Sequence, residues 1–164
     1  MTLILSLIFL VLAILAIRGS RWAYAAFPLS ILLYFPASVG FRMDPKSCDL
    51  MVNRPLAVSS LNNYPHMILF CVFFVVTAGH FRFSRWRSLG LLIVLTLAMG
   101  AGMEIAQGLS GTHHCKAIDL IPDSVGALAG LLIVLLWAAA ARARLRGRAS
   151  TKVRAGYKNN LFGK

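Results

Sequence analysis

The 164-residue chain contains 17 Lys and Arg residues against five Asp and Glu residues, which gives a formal net charge of +12. Only 13% of its residues are charged, however, and 59% are hydrophobic, with a mean hydropathy of +0.75. This combination excludes a disordered tail, which would be more polar, and a nucleic-acid-binding domain, which would not be this apolar. A lipid bilayer is the solvent that such a composition fits.

Five apolar stretches follow one another along the chain, separated by charged or turn-forming residues. A helix needs about 20 apolar residues to cross about 30 Å of hydrocarbon. The first stretch is the shortest, and we expect a permanent span rather than a secretory signal because residues 1–10 contain no Lys or Arg. The sequence thus predicts an all-α integral membrane protein, a bundle of about five transmembrane helices. The predicted spans are residues 2–17, 22–41, 66–83, 88–107 and 121–141.

The basic residues are distributed unequally between the two sides of this bundle. One side holds 13 of the 17 Lys and Arg residues, eight of them after residue 141. Because Lys and Arg near helix ends stay in the cytoplasm, we expect the amino terminus outside and the carboxyl terminus inside. Loops at about residues 42–65 and 108–120 would face outward. One membrane domain, 1–141, would precede a basic cytoplasmic tail, 142–164, that is attracted to anionic membrane lipids rather than to nucleic acid.

The acidic residues all fall on the opposite, outer side. Glu104 and Gln107 are three positions apart and therefore share a helical face, as do Asp119 and Asp123, which are four apart. Asp119 is suited to capping the start of the last span. A carboxylate buried at Glu104 or Asp123 needs a partner, because an unpaired charge near hydrocarbon is costly. The outer-side candidates for such partners are His66, His113, Lys116 and Arg54.

Small residues mark the faces through which helices can approach closely. Ala98, Gly102 and Ala106 recur every four positions on the fourth predicted span, and Gly126 and Gly130 form a GxxxG pair on the fifth. The pattern predicts that these two spans pack against each other through those faces. Such faces are common in membrane proteins and do not by themselves indicate an activity.

Two of the three cysteines, Cys48 and Cys115, lie in the predicted outer loops. In an oxidising compartment they could form a disulfide that ties the two loops together. A metal site built from His113, His114 and Cys115 is the weaker alternative, because these residues are too close in sequence for standard zinc-ligand spacing and no second cluster accompanies them. We expect neither a metal nor another cofactor.

The residues on the fourth and fifth predicted spans resemble the VanZ family, bacterial multi-pass membrane proteins related to a teicoplanin-resistance protein. That family has Glu-x-x-Gln at the end of one span, a short loop with an Arg, and Asp-x-x-x-Asn or Asp followed by Gly-x-x-x-Gly in the next. The matching residues here are Glu104, Gln107, Asp119, Asp123, Gly126 and Gly130.

A second family motif, Asp-Lys-x-x-His, matches the NNYPH segment and places His66 on the family histidine. The resemblance covers about residues 62–135. The chain departs from the pattern at Asn62 and Asn63, which stand in place of Asp and Lys, and at His113, which stands roughly in place of the Arg.

This resemblance implies a protein of the bacterial cytoplasmic (inner) membrane with a role in the cell envelope, and resistance members of the family lower susceptibility to glycopeptides that carry lipid tails. The first functional hypothesis is a non-enzymatic module. In it Glu104, Gln107, His113, Lys116, Asp119 and Asp123 bind an envelope lipid headgroup or a protein partner at the outer face.

The second hypothesis is an enzyme that acts on a lipid-linked envelope substrate, with Glu104 as base, Asp123 orienting a partner, and His66 as acid or base. The sequence has no nucleophile–base pair of recognisable spacing, so whether the chain is an enzyme stays open. A small transporter ranks last, because five short spans lack the paired halves of transporter repeats. A polar clamp that serves only helix assembly is the structural alternative to all three.

Overall fold

The structure, a computed structural model, describes residues 2–38, 44, 45, 47–81, 86–111 and 115–162. Its regular elements are all helical, which confirms the predicted all-α class, and the described β pairing is a single isolated bridge between Asp49 and Lys116. The elements are α1 (Thr2–Ile17), α2 (Arg21–Ser38), α3 (Arg54–Ser60), α4 (Tyr64–His80), α5 (Trp86–Ser110), a 3-10 helix (Ala117–Asp119) and α6 (Leu120–Phe162).

The helices correspond closely to the apolar stretches of the sequence. α1 has the predicted bounds, and α2 begins one residue before the predicted start. Residues 39–41 and 82–83, which the sequence places at the ends of two spans, include positions outside the described part of the chain. α6 continues through the predicted tail to Phe162. Residues 138–146, which cross the predicted end of the span, are all Ala, Arg or Leu, which are strong helix formers whether or not lipid surrounds them.

Two of the described helical segments are long and apolar enough to cross a membrane, Leu89–Ser110 and Ala117–Leu145. A third span results if α3 and α4, whose axes are bent by 70°, are taken together. Large apolar side chains such as Val94, Leu132 and Leu136 are exposed on these helices, as expected for surfaces that face lipid. The chain therefore has two or three helices of membrane-spanning character.

The bend between α3 and α4 has a clear origin in the sequence. The Asn53 side chain caps α3 by accepting the Leu56 N–H at 2.9 Å, and Pro55 occupies the first turn, where its missing N–H is harmless. α4 again has a proline, Pro65, in its first turn. Because each helix starts with its own proline, the chain turns at residues 61–63 instead of continuing as one helix.

The chain forms two compact units, Met1–Leu131 and Leu132–Lys164. In the first unit α1 packs on α2 and α4, and α5 packs on α2 and α4. Aromatic and methionine side chains fill the space between these helices, with the rings of Phe27 and Phe73 stacked at 6.2 Å between centroids. The second unit contains, in its described part, the remainder of α6, on which Trp137 is exposed.

The first unit has two polar ends. At one end the His80 ring stacks on Tyr24 at 4.2 Å between centroids, and His80 Nδ1 donates a hydrogen bond to the Ala16 carbonyl oxygen at 2.9 Å. The Tyr24 hydroxyl lies 3.5 Å from Thr77 Oγ1. The other end, which we call the carboxylate end, consists of the start of α4, the end of α5 and the start of α6.

Candidate functional site

The carboxylate end brings His66 and Asp123 together, although 57 residues separate them in sequence. His66 lies in the first turn of α4 and Asp123 in the first turn of α6. Their side chains are joined by a 2.9 Å hydrogen bond between Nδ1 and Oδ1, and the Asp123 side chain is only 3% exposed. An ionised carboxylate can only accept, so Nδ1 of His66 donates and Nε2 is the ring nitrogen left for other contacts. The positive end of the α6 dipole also favours a carboxylate at this position.

Glu104 approaches the same region from the last turns of α5. Its side chain is 4% exposed, and its Oε2 accepts the backbone N–H of Lys116 at 2.9 Å. Lys116 thus contributes its backbone amide to the site, although the residue as a whole is exposed. Gln107, which shares the α5 face with Glu104, is buried to the same degree. The shared face that the sequence predicts is therefore a buried one.

The Lys116 amide is held in place by the two chain segments that contain Cys48 and Cys115. Cys48 and Cys115 form a disulfide, with an S–S distance of 2.11 Å and a Cα–Cα distance of 4.5 Å. The Asp49 N–H donates to the Cys115 carbonyl at 2.7 Å, and the Ala117 N–H donates to the Asp49 carbonyl at 2.9 Å. Because successive residues of extended backbone point their polar groups in opposite directions, the Lys116 N–H faces away from Asp49, toward Glu104.

Glycines allow the helices to meet around these side chains. A Cβ placed on Gly100 of α5 would lie 3.0 Å from Oδ2 of Asp123 and 3.2 Å from the Leu120 side chain. At the end of α5, Gly111 has a φ of +63°, and a Cβ there would lie 2.7 Å from the Asp44 carbonyl oxygen. α5 therefore passes directly beside the start of α6, and Asp44 lies against the end of α5.

Two carboxylate oxygens of this site have no hydrogen-bond partner among the described residues. They are Oε1 of Glu104 and Oδ2 of Asp123, and both are fully buried. A buried acceptor without a donor costs about 1–3 kcal/mol, and more when it is charged. Glu104, Asp119, Asp123 and His66 are also close enough for their charges to interact. The site is thus an acidic, largely desolvated cluster whose open atoms are acceptors.

Other residues that the sequence singles out stand apart from this arrangement. Asp119 is predicted to cap the last span, but it forms the end of the 3-10 helix, and no hydrogen bond joins its side chain to another described residue. Arg54 begins α3 and is exposed. His113 and His114 lie outside the described residues. The backbone contribution of Lys116 and the role of Gly100 had no counterpart in the sequence analysis, although Gly100 belongs to the same run of small residues as Gly102.

The predicted packing between the small-residue faces of α5 and α6 is wrong. Gly126 packs on α4, where a Cβ would fall on the Met67 carbonyl oxygen. Gly130 also faces α4, since a Cβ there would lie 2.8 Å from the Cys71 carbonyl oxygen. Gly102 instead faces α2, since a Cβ there would lie 3.3 Å from the Leu32 side chain. A small-residue pattern identifies a surface of close approach but not the helix that occupies it, which is why the sequence named the wrong partner.

Within the described part of the chain, no group of three or more His, Cys, Asp and Glu residues is arranged to hold a metal ion. Chemically, the cluster can accept hydrogen bonds, bind a cation and exchange a proton at His66. Comparison with protein-family models, with curated proteins and with solved structures finds no match to this chain.

Proposed function

We propose that this chain is a VanZ-like multi-pass protein of the bacterial cytoplasmic membrane, with the amino terminus outside and the carboxyl terminus in the cytoplasm. Its five spans would be α1, α2, α4, α5 and the apolar part of α6. The excess of Lys and Arg on one side supports this orientation. The disulfide between Cys48 and Cys115 supports it independently, because disulfides persist on the oxidising, outer side of that membrane.

In this proposal the carboxylate end binds the headgroup of an envelope lipid, or a partner, at the outer face, and thereby changes susceptibility to glycopeptides with lipid tails. The observation that carries it is a pair of buried oxygens, Glu104 Oε1 and Asp123 Oδ2, that have no donor among the described residues. A clamp that served only assembly would satisfy its buried polar atoms within the bundle, as most buried groups in proteins are satisfied. Carboxylate oxygens without hydrogen-bond donors in such a cluster favour a ligand that supplies those donors.

The second candidate is an enzyme that acts on a lipid-linked envelope substrate. The His66–Asp123 hydrogen bond favours it, because a carboxylate that orients an imidazole prepares the other ring nitrogen for proton transfer. Glu104 would then be a second acid or base. We rank this candidate lower because no hydroxyl or thiol side chain of the described residues is hydrogen-bonded to His66, as an activated nucleophile would be.

The proposed function is tested in cells that express wild type, Glu104→Gln, Asp123→Asn or Thr96→Val at matched membrane levels. Thr96 is a suitable control because it is buried on α5, bonds only to its own helix through the Leu92 carbonyl, and is nearly the size of valine. The measurements are susceptibility to glycopeptides with and without a lipid tail, and the lipid composition of the envelope.

We expect wild type and Thr96→Val to shift susceptibility to the tailed drug, and both site variants to lose that shift. A lipid species that appears or disappears only with wild type and Thr96→Val would favour the enzyme. If all four proteins leave susceptibility and lipids unchanged, the carboxylate end has no envelope function of this kind.

A further inference from the structure

We propose that the carboxylate end binds a ligand with a primary ammonium group, such as the headgroup of an ethanolamine lipid. This inference rests on the proposed function and narrows it to one class of ligand. Two donors at the site are engaged with its carboxylates, since His66 Nδ1 bonds to Asp123 and the Lys116 N–H bonds to Glu104. The open atoms, Glu104 Oε1 and Asp123 Oδ2, can only accept when ionised. A phosphate, a carboxylate or a carbonyl group supplies nothing that they need.

The charge of the cluster favours a cation over a neutral donor. Among the described residues, three carboxyl groups, those of Glu104, Asp119 and Asp123, lie within electrostatic reach of the His66 imidazole. Hydrogen bonds between charged groups are roughly twice as strong as neutral ones, and desolvation strengthens them further. An ammonium group therefore gains more at either of these oxygens than a sugar or glycerol hydroxyl does.

The space beside Asp123 restricts the kind of ammonium. Oδ2 lies 3.0 Å from the point that a Cβ on Gly100 would occupy, and the Phe70 ring lies 3.6 Å from the same point. Phe70 is 1% exposed, so the surroundings are packed. A primary ammonium is compact and has three N–H donors, whereas a quaternary ammonium has none and adds three methyl groups. The site should therefore distinguish ethanolamine from choline headgroups, although both carry the same charge.

The test uses the full-length protein in membranes that contain phosphatidylcholine with equal fractions of phosphatidylethanolamine or phosphatidylglycerol. Native mass spectrometry of the protein released from mixed membranes reports which lipid is retained, and thermal unfolding reports stabilisation. One arm adds free ethanolamine to phosphatidylcholine membranes, which separates a soluble amine from a lipid headgroup as the source. Glu104→Gln, Asp123→Asn and the control Thr96→Val are measured in parallel.

We expect wild type to retain the ethanolamine lipid about tenfold or more over the choline lipid, the ratio that one charge-assisted hydrogen bond supplies. Thr96→Val should keep this preference, and either site variant should remove it. If free ethanolamine stabilises wild type but neither site variant, the site binds a primary ammonium group, and a soluble amine can supply it. Equal retention of the two lipids without an effect of free ethanolamine overturns the inference, as does preference for phosphatidylglycerol.

A preference that survives in both site variants also overturns it, because the lipid would then bind elsewhere. The comparison of ethanolamine and choline lipids on wild type alone does not depend on whether any variant folds. If it shows no preference while the site variants still lose the susceptibility shift, the ammonium inference fails and the proposed function stands. If the preference is present but susceptibility never changes, the proposed function fails and the binding site stands.

Discussion

Gly126→Ala is the sharpest test of how α4 and α6 are joined. The glycine lies against the α4 backbone, and an added Cβ would fall on the carbonyl oxygen of Met67. The obstacle is main chain rather than the end of a flexible side chain, so α4 and α6 must move apart to admit a methyl group. Gly90→Ala is the control, because Gly90 is a helical glycine of the same compact unit and a Cβ there meets nothing within 4 Å.

The expected change follows from two opposing effects. Overpacking costs about 1–3 kcal/mol, and a clash with backbone belongs at the upper end of that range. Replacing glycine by alanine inside a helix contributes about 1 kcal/mol in the opposite direction. Gly126→Ala should therefore lower the free energy of unfolding by about 2 kcal/mol, which is roughly a 30-fold change in the folding equilibrium. Gly90→Ala has only the favourable effect and should gain up to about 1 kcal/mol.

Titration of the protein in mixed bicelles with a denaturing detergent, followed by circular dichroism, measures both variants against wild type. The difference between the two alanine variants, about 3 kcal/mol, is the informative quantity because it removes the helix preference of alanine. Equal stability of the two variants would refute the close contact between Gly126 and α4. A loss confined to Gly126→Ala would support it.

Two further predictions concern the carboxylate end. Cys48→Ser should destabilise the protein by about 2–4 kcal/mol, because the disulfide with Cys115 closes a long loop. Cys71 is a free cysteine, so Cys71→Ser should lose as much stability on addition of reductant as wild type does. Detergent titration with and without reductant measures both variants. Gly100→Ala should weaken retention of the ethanolamine lipid, because the added Cβ crowds Asp123 Oδ2. On the same helix, a Cβ on Gly90 meets nothing within 4 Å, so Gly90→Ala should bind the lipid as wild type does. Equal retention of the lipid by these two variants in native mass spectrometry would contradict the proposed place of the ligand.

Hydropathy alone located most of the helices, because burial in lipid or in the bundle requires long apolar segments. It gave α1 with its bounds and placed the starts of α2, α5 and α6 within two residues. It missed α3, whose seven residues are too few for a periodic signal. The start of α3 was nonetheless encoded, since Asn53 and Pro55 are a helix cap and a first-turn proline.

The candidate site was only partly accessible from sequence. Local spacing predicted that Glu104 and Gln107 share a face, and burial of both side chains agrees with that shared face. The contact between His66 and Asp123 depends on the packing of α4 against α6, which no local pattern specifies. The amide of Lys116 could not be anticipated at all, because every non-proline residue has a backbone N–H and only the loop conformation selects this one.

The same glycines that join the helices create the conditions for the proposed ligand binding. Gly126 and Gly130 hold α4 close to α6, and Gly100 brings α5 beside Asp123. This packing removes solvent from Glu104 and Asp123, and each has one oxygen without a donor among the described residues, at a cost of about 1–3 kcal/mol. A ligand that satisfies both oxygens recovers that cost only in the folded state, and its binding therefore stabilises the bundle as its concentration rises above the dissociation constant. Stability of the wild-type protein should thus depend on the membrane that surrounds it, whereas a bundle with a fully satisfied polar clamp would be indifferent to headgroup chemistry.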